Sequence, residues 1–232
     1  MKQIIAMGGG GFSMEADHPV LDEYILKQSK KSCPKICFIP TASGDAEGYI
    51  ARFYAFFEKQ QCIPTHLSLF KPPVRDFEAF LLNQDIIYVG GGNTKNLLVL
   101  WREWGLDVAL KKAWEKGVIL AGISAGAICW FEEGVTDSYG DELESITCLG
   151  FLHGSSCPHY DGEVDRKRMY FHLMETQKLQ GGVALDDGVA IHYVGQNIKK
   201  IVSSRRNAYA YSVKNKDGIE EKKLDTYFLG DA

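Results

Sequence analysis

The sequence has no apolar run approaching the ~18 residues of a membrane-spanning helix, so no membrane partner is expected. It also lacks a surplus of basic charge. Against 26 Lys+Arg stand 30 Asp+Glu, a formal net charge of -4. Without a basic field, neither nucleic acid nor an anionic surface is an expected partner. The short clusters Lys199-Lys200 and Arg205-Arg206 read as solvated faces. No Cys-x2-Cys pair occurs among the six cysteines, and Cys33 and Cys37 have no matching His or Cys pair downstream. They read as free, mostly buried thiols of a reducing compartment, and a metal site is not expected.

Targeting and nucleotide signatures are missing too. The opening MKQIIAMGGGG breaks into glycines well short of the apolar region of about 7–15 residues that a signal peptide needs. It reads as a buried first strand, and a cytoplasmic location is the expectation. GGGNT is not followed by Gly-Lys-Ser/Thr, so the Walker pattern is absent. GGGGF carries Ser13 where a dinucleotide fingerprint would place its third glycine.

What remains is ordinary globular composition, 45% hydrophobic with 12 Phe, 11 Tyr and 4 Trp, enough for one large core. No linker, repeat or low-complexity segment interrupts it, so residues 1–232 read as a single domain. Apolar runs at Gln3–Met7, Lys35–Ile39, Asp85–Val89 and Gly117–Ala121 each end in a small-residue turn. Continuous runs of this length suit strands of a parallel sheet buried on both faces. Between them, Ile50, Phe53, Tyr54 and Phe57 repeat with helical spacing, Asn93-Thr94 offers an N-cap, and a helix around Val108–Lys116 stops at Gly117. The alternation predicts an α/β fold, a doubly wound and mostly parallel sheet flanked by helices. The segment after Ala190 reads as an extension of the sheet edge. Ligands of such sheets bind beyond the carboxyl ends of the strands, where GGGGF, PTASG, GGGNT and GISAG would line one cleft.

Gly122-Ile123-Ser124-Ala125-Gly126 matches the nucleophile elbow G-x-S-x-G, with an apolar strand before it and a helix-compatible run after it. The glycines allow a sharp turn, so the serine projects from the top of the sheet while the following amides, from Ala125 onward, face the cleft. The competing reading is a helix N-cap serine on a plain turn. A neutral serine needs a base. Of six histidines, His159 in Cys157-Pro158-His159-Tyr160-Asp161 follows a strand that the proline halts, whereas His192 lies within the strand-like Val189–Tyr193. Asp186 and Asp187 are paired acids at a turn, one of which would orient the imidazole if it faces inward. GGGNT would supply a second oxyanion donor from the neighbouring strand.

Taken in order, VGGGNT, AGISAGA, CPHYDGE and ALDDGVAI resemble the peptidase E family of aspartyl dipeptidase and cyanophycinase-like serine peptidases, which share the class I glutamine amidotransferase-like fold. The resemblance runs from the first strand to the strand after Asp187. It implies Ser124 as nucleophile, His159 as general base and Asp187, directly before the glycine, as the acid. It further implies Gly92 and Ala125 as oxyanion amides, Asn93 as a substrate contact, and no metal or organic cofactor. Cys129 lies five residues past Ser124, so amidotransferase chemistry is disfavoured. Aspartyl dipeptidases carry an arginine shortly after the histidine segment that clamps the substrate's aspartate. Asp165 aligns there, with Arg166 and Arg168 beside it, and an acid at that position would repel an aspartyl side chain and favour a basic one.

The expectation is therefore a serine peptidase acting on small peptides, a monomer or homodimer, without strict Asp-X specificity. Two alternatives stand beside it. One is an α/β-hydrolase esterase in the order Ser…acid…His, using Asp161 and His192. The other is a non-catalytic small-ligand or peptide-binding protein on the same fold.

Overall fold

The computed structural model describes residues 1–140, 142–163 and 165–230. Strand β1 (Gln3–Met7) leads through α1 (Gly11–Met14) and α2 (Val20–Leu26) to β2 (Lys35–Ile39). After α3 (Glu47–Phe57) come β3 (Ile63–His66), α4 (Phe77–Leu82) and β4 (Ile86–Val89). Then α5 (Thr94–Glu103) and α6 (Leu106–Glu115) precede β5 (Ile119–Ile123) and the short α7 (Ala125–Ile128). Strands β3, β2, β4, β5 and β1 lie side by side and parallel; the apolar runs predict all of them but β3, whose sequence is IPTH.

Strands β1, β2, β4 and β5 are buried on both faces, and their alternation sends side chains to two separate cores. Ile4 and Ala6 of β1, with Ile87 and Val89 of β4, pack with Trp101 of α5 and Trp114 of α6. Ile5, Met7, Ile86 and Tyr88 face the other way, against Phe12, Phe53 and Phe57. That second core is an aromatic cluster in which Phe12 meets Phe38, Phe53 and Tyr88 edge to face. Helix α5 is capped by Asn93, whose Oδ1 accepts the Asn96 amide at 2.8 Å.

The second half meets the expected sheet extension only in part. After β6 (Phe131–Thr136), β7 (Glu144–Thr147) and β8 (Leu152–Cys157) come α8 (Arg166–Glu175) and β9 (Gly182–Leu185). The chain ends in β10 (Val189–Val194), β11 (Asn197–Ser203), β12 (Ala210–Asn215), β13 (Ile219–Lys223) and β14 (Tyr227–Phe228). Among the described residues, β10, β11 and β14 extend the main sheet to eight strands, with β10 antiparallel to β1. The rest form a second, six-stranded sheet in the order β13-β12-β9-β8-β6-β7. One face of that sheet joins the core of the tryptophans through Phe131, Leu152 and Leu185, and the other packs on Tyr170, Leu173 and Met174 of α8. Its strands include LHGSSC, the strand that Pro158 halts, and IEEKK, which lacks an apolar run and carries no strand pattern of its own. Among the described residues no helix is long and apolar enough to cross a membrane.

One buried acid sits under the first glycine-rich turn. Asp22 of α2 is fully buried, and a Cβ added at Gly11 would lie 3.1 Å from both its carboxylate oxygens. Burial pushes its pKa from 3.8 up to about 7. The Tyr88 hydroxyl and nearby amides pull the other way, but no complete hydrogen bond reaches either oxygen among the described residues. A carboxyl whose pKa is raised on folding holds a proton that the unfolded chain releases. Its contribution is full below about pH 4, falls as pH rises toward 7, and is lost above that. Asp22→Asn is expected to flatten that decline, by on the order of 4 kcal/mol between pH 4 and pH 8. Urea unfolding of both proteins at the two pH values measures it; parallel profiles would contradict the assignment.

Candidate active site

The sharp turn at Ser124 follows from three close approaches between backbones. A Cβ at Gly122 would fall 2.1 Å from the Gly126 carbonyl oxygen, and one at Gly126 would fall 2.2 Å from that of Val89. Helix α7 therefore rests directly on the ends of β4 and β5, while the Ser124 amide bonds the Met7 carbonyl of β1 at 3.0 Å. No slack is left for a relaxed turn. Ser124 takes φ 54 and ψ -114, a conformation L residues avoid and that costs of order 1–3 kcal/mol. A plain N-cap serine would have extended backbone and bond an amide of the first turn; Ser124 does neither. Its Oγ lies 2.9 Å from His159 Nε2.

His159 also has positive φ, 53, two residues beyond the end of β8. The following amide, of Tyr160, is bonded to the Leu185 carbonyl at the end of β9. Its Nδ1 lies 2.6 Å from Asp187 Oδ1, both side chains being mostly buried. The hydrogen bond from His159 holds the Asp187 carboxyl below its ordinary value, against burial, with help from the charges of His159, Arg205 and Arg166. An ionised Asp187 keeps the proton on Nδ1 and leaves Nε2 to accept the Ser124 hydroxyl.

Geometry also separates the two adjacent acids. Asp186 turns away, accepting the Tyr209 amide at 2.9 Å, and burial pushes its pKa up to about 6. Asp187 has room because two glycines face it: a Cβ at Gly9 would sit 1.9 Å from Oδ1, and one at Gly162 would sit 2.9 Å from Oδ2. Its amide is held by Asp161 Oδ1 at 2.8 Å. The sequence carries no sign of Gly162 or Asp161 in these roles; the GGGG run at the end of β1 is the signal for Gly9.

The GGGNT loop flanks the serine. Gly91 lies against Ser124, and Gly92 has φ 135 with no space for a Cβ beside the Ala42 carbonyl. Among the described residues the Gly92 amide has no acceptor. The Ala125 amide opens α7, where helix geometry leaves it without one. Asn93 lines the cleft, but its side chain already caps α5 and donates to the Ser138 carbonyl at 3.2 Å, leaving one amide hydrogen uncommitted.

The histidine of the esterase alternative lies elsewhere. His192 is fully buried in β10, with Nδ1 on the Tyr24 hydroxyl and Nε2 on Gln3 Oε1. Burial lowers its pKa to about 4. It has no contact with Ser124, and Asp161 serves the Asp187 amide instead.

The expected acid at the cleft wall is corrected. The Asp165 side chain is 64% exposed and pairs with Arg168 at 2.9 Å on the surface. Its neighbour Arg166 lines the cleft with Ser124 and His159, its side chain only 3% exposed. Successive residues at a helix start diverge by about 100°, so turning Asp165 outward brings its neighbour inward. Arg166 Nε meets Glu163 Oε2 at 2.8 Å. The cleft measures about 320 Å³, at the small end of the range for small-molecule sites.

Residues 4–201 match the model of Peptidase family S51. The chain belongs to this family. It is also 59% identical over 231 residues to the "Uncharacterized peptidase YgaJ" of Bacillus subtilis (strain 168), covering 99% of this chain and all of that one. Its fold is similar to that of a peptidase from an acI-B1 Actinobacterium, with a TM-score of 0.64 at 19% identity over 97% of this chain and 95% of that one. A "Putative Peptidase E Protein" from Listeria monocytogenes EGD-e matches with a TM-score of 0.57 at 18% identity, over 97% and 100% of the two chains. The peptidase E resemblance in the sequence and the mostly parallel α/β fold it implies agree with these matches.

Gly9→Ala is expected to push Asp187 off His159, and Asp187→Asn to remove the charge without moving the backbone. Proton NMR checks both: a downfield Nδ1 proton of His159 should be present in the wild type and absent from either variant. Its survival in Gly9→Ala would contradict the packing argument.

Proposed function

We propose that this member of family S51 is a serine-type dipeptidase in which Ser124, His159 and Asp187 carry acyl transfer. The contacts of 2.9 Å and 2.6 Å that run from serine to imidazole to carboxylate carry the reading. Ser124 Oγ attacks the scissile carbonyl while His159 Nε2 takes its proton. The amides of Gly92 and Ala125 receive the oxyanion; losing one such donor typically costs ~3 kcal/mol. His159 then protonates the leaving amine as the C–N bond breaks, and water releases the acyl group by the reverse relay. The substrates are small peptides, which suits a cleft of about 320 Å³ walled by Asn93, Thr94 and Asp137. Arg166 adds a preference for an acidic side chain next to the cleaved bond, reversing the basic preference that an inward Asp165 would have given. All these groups come from one chain, so a monomer or homodimer suffices, and six unpaired cysteines suit work in the cytoplasm.

Hydrolysis of an X-Leu panel, with X as Asp, Asn, Lys, Arg and Ala, tests the proposal. Asp-Leu should be cleaved best, and Ser124→Ala should lower kcat by about 10⁴- to 10⁶-fold. Arg166→Met should remove the preference for Asp while sparing slow cleavage of Ala-Leu. Between pH 5 and 8 Asp187 stays ionised, so its titration should leave no mark on the profile. Turnover that survives Ser124→Ala, or a preference for Lys-Leu, would contradict the reading.

A further inference from the structure

The ion pair at the cleft wall is lopsided. Arg166 has a side chain 3% exposed, whereas its partner Glu163 is 45% exposed on the turn between His159 and α8. Both line the same cleft as Ser124 and His159. Nε and one terminal nitrogen of Arg166 meet the same oxygen, Glu163 Oε2, at 2.8 and 2.5 Å. The other terminal nitrogen reaches the Val135 carbonyl at 3.4 Å. A guanidinium is a fork that binds a carboxylate best through both oxygens, and Glu163 offers one.

The asymmetry decides which partner leaves. A guanidinium this buried cannot be left without a counter-charge, a loss that is strongly destabilising. Glu163 can turn into water and regain its hydration at little cost. We propose that Glu163 is a built-in counter-ion, displaced from Arg166 when a small substrate brings its own carboxylate into the cleft. This rests on the reading of the cleft as the substrate site. Glu163 then tunes specificity: it keeps the empty site neutralised, raises KM for acidic substrates, and resists neutral ones that offer Arg166 nothing in exchange.

Succinate, a dicarboxylate without a scissile bond, tests the exchange by calorimetric titration in the Ser124→Ala background. Glu163→Gln should tighten its binding about two- to fivefold, the worth of one half-exposed ion pair. Glu163→Asp, too short to reach the guanidinium, should act alike and covers the case in which the glutamine variant folds poorly. Arg166→Met should abolish binding. With Ser124 intact, Glu163→Gln should lower KM for Asp-Leu by a similar factor with kcat unchanged. If Glu163 instead only holds Arg166 in place, its removal will weaken succinate binding and raise KM, and the proposal fails. Tighter succinate binding alongside no peptide hydrolysis would keep the exchange and overturn the peptidase reading alone.

Discussion

The contact on which the site depends is that of the Gly126 backbone with the Val89 carbonyl, at the meeting of β4, β5 and α7. No side chain fits between them, so the chain leaving β5 must reverse within one residue. That residue is Ser124, held at a positive φ from which its hydroxyl stands clear of the sheet. The strain, of order 1–3 kcal/mol, is borne by strands buried on both faces and pinned to two cores. Local discomfort at the serine is thus stabilised by packing distributed across the molecule.

The same constraint governs the rest of the site. His159 sits at positive φ between the second sheet and the main one, and Asp187 on the turn that joins β9 to β10. The two sheets therefore meet where imidazole and carboxylate meet. Glycines 9 and 162 leave the space, and Asp161 and the Leu185 carbonyl hold the adjoining backbone. The adjacent Asp186 shows what the environment contributes: it has the same side chain, yet burial raises its pKa, whereas the hydrogen bond from His159 lowers that of Asp187.

How much of this was legible in the sequence depended on whether a residue's role follows from local pattern. The parallel strands announced themselves because burial on both faces demands unbroken apolar runs, and Asn93 as a cap follows from its place before α5. His159 was favoured over His192 by its place after a proline-halted strand, and geometry brings it to Ser124. The second sheet was not legible as a separate layer: the strand before Pro158 can be read, but nothing local shows that it pairs with β6 and β9, and Ile219–Lys223 owes its strand state to the adjacent β12. Which of Asp165 and Arg166 faces the cleft is hidden for a smaller reason. A shift of one residue at a helix start rotates side chains by about 100°, and only the fold fixes that rotation.

The most direct test of the central claim is intact-mass analysis after exposure to a peptidyl phosphonate, followed by peptide mapping. The account predicts a single covalent adduct on Ser124, formed far more slowly in His159→Ala and Asp187→Asn. An adduct on another residue, or none while the protein hydrolyses peptides, would contradict it.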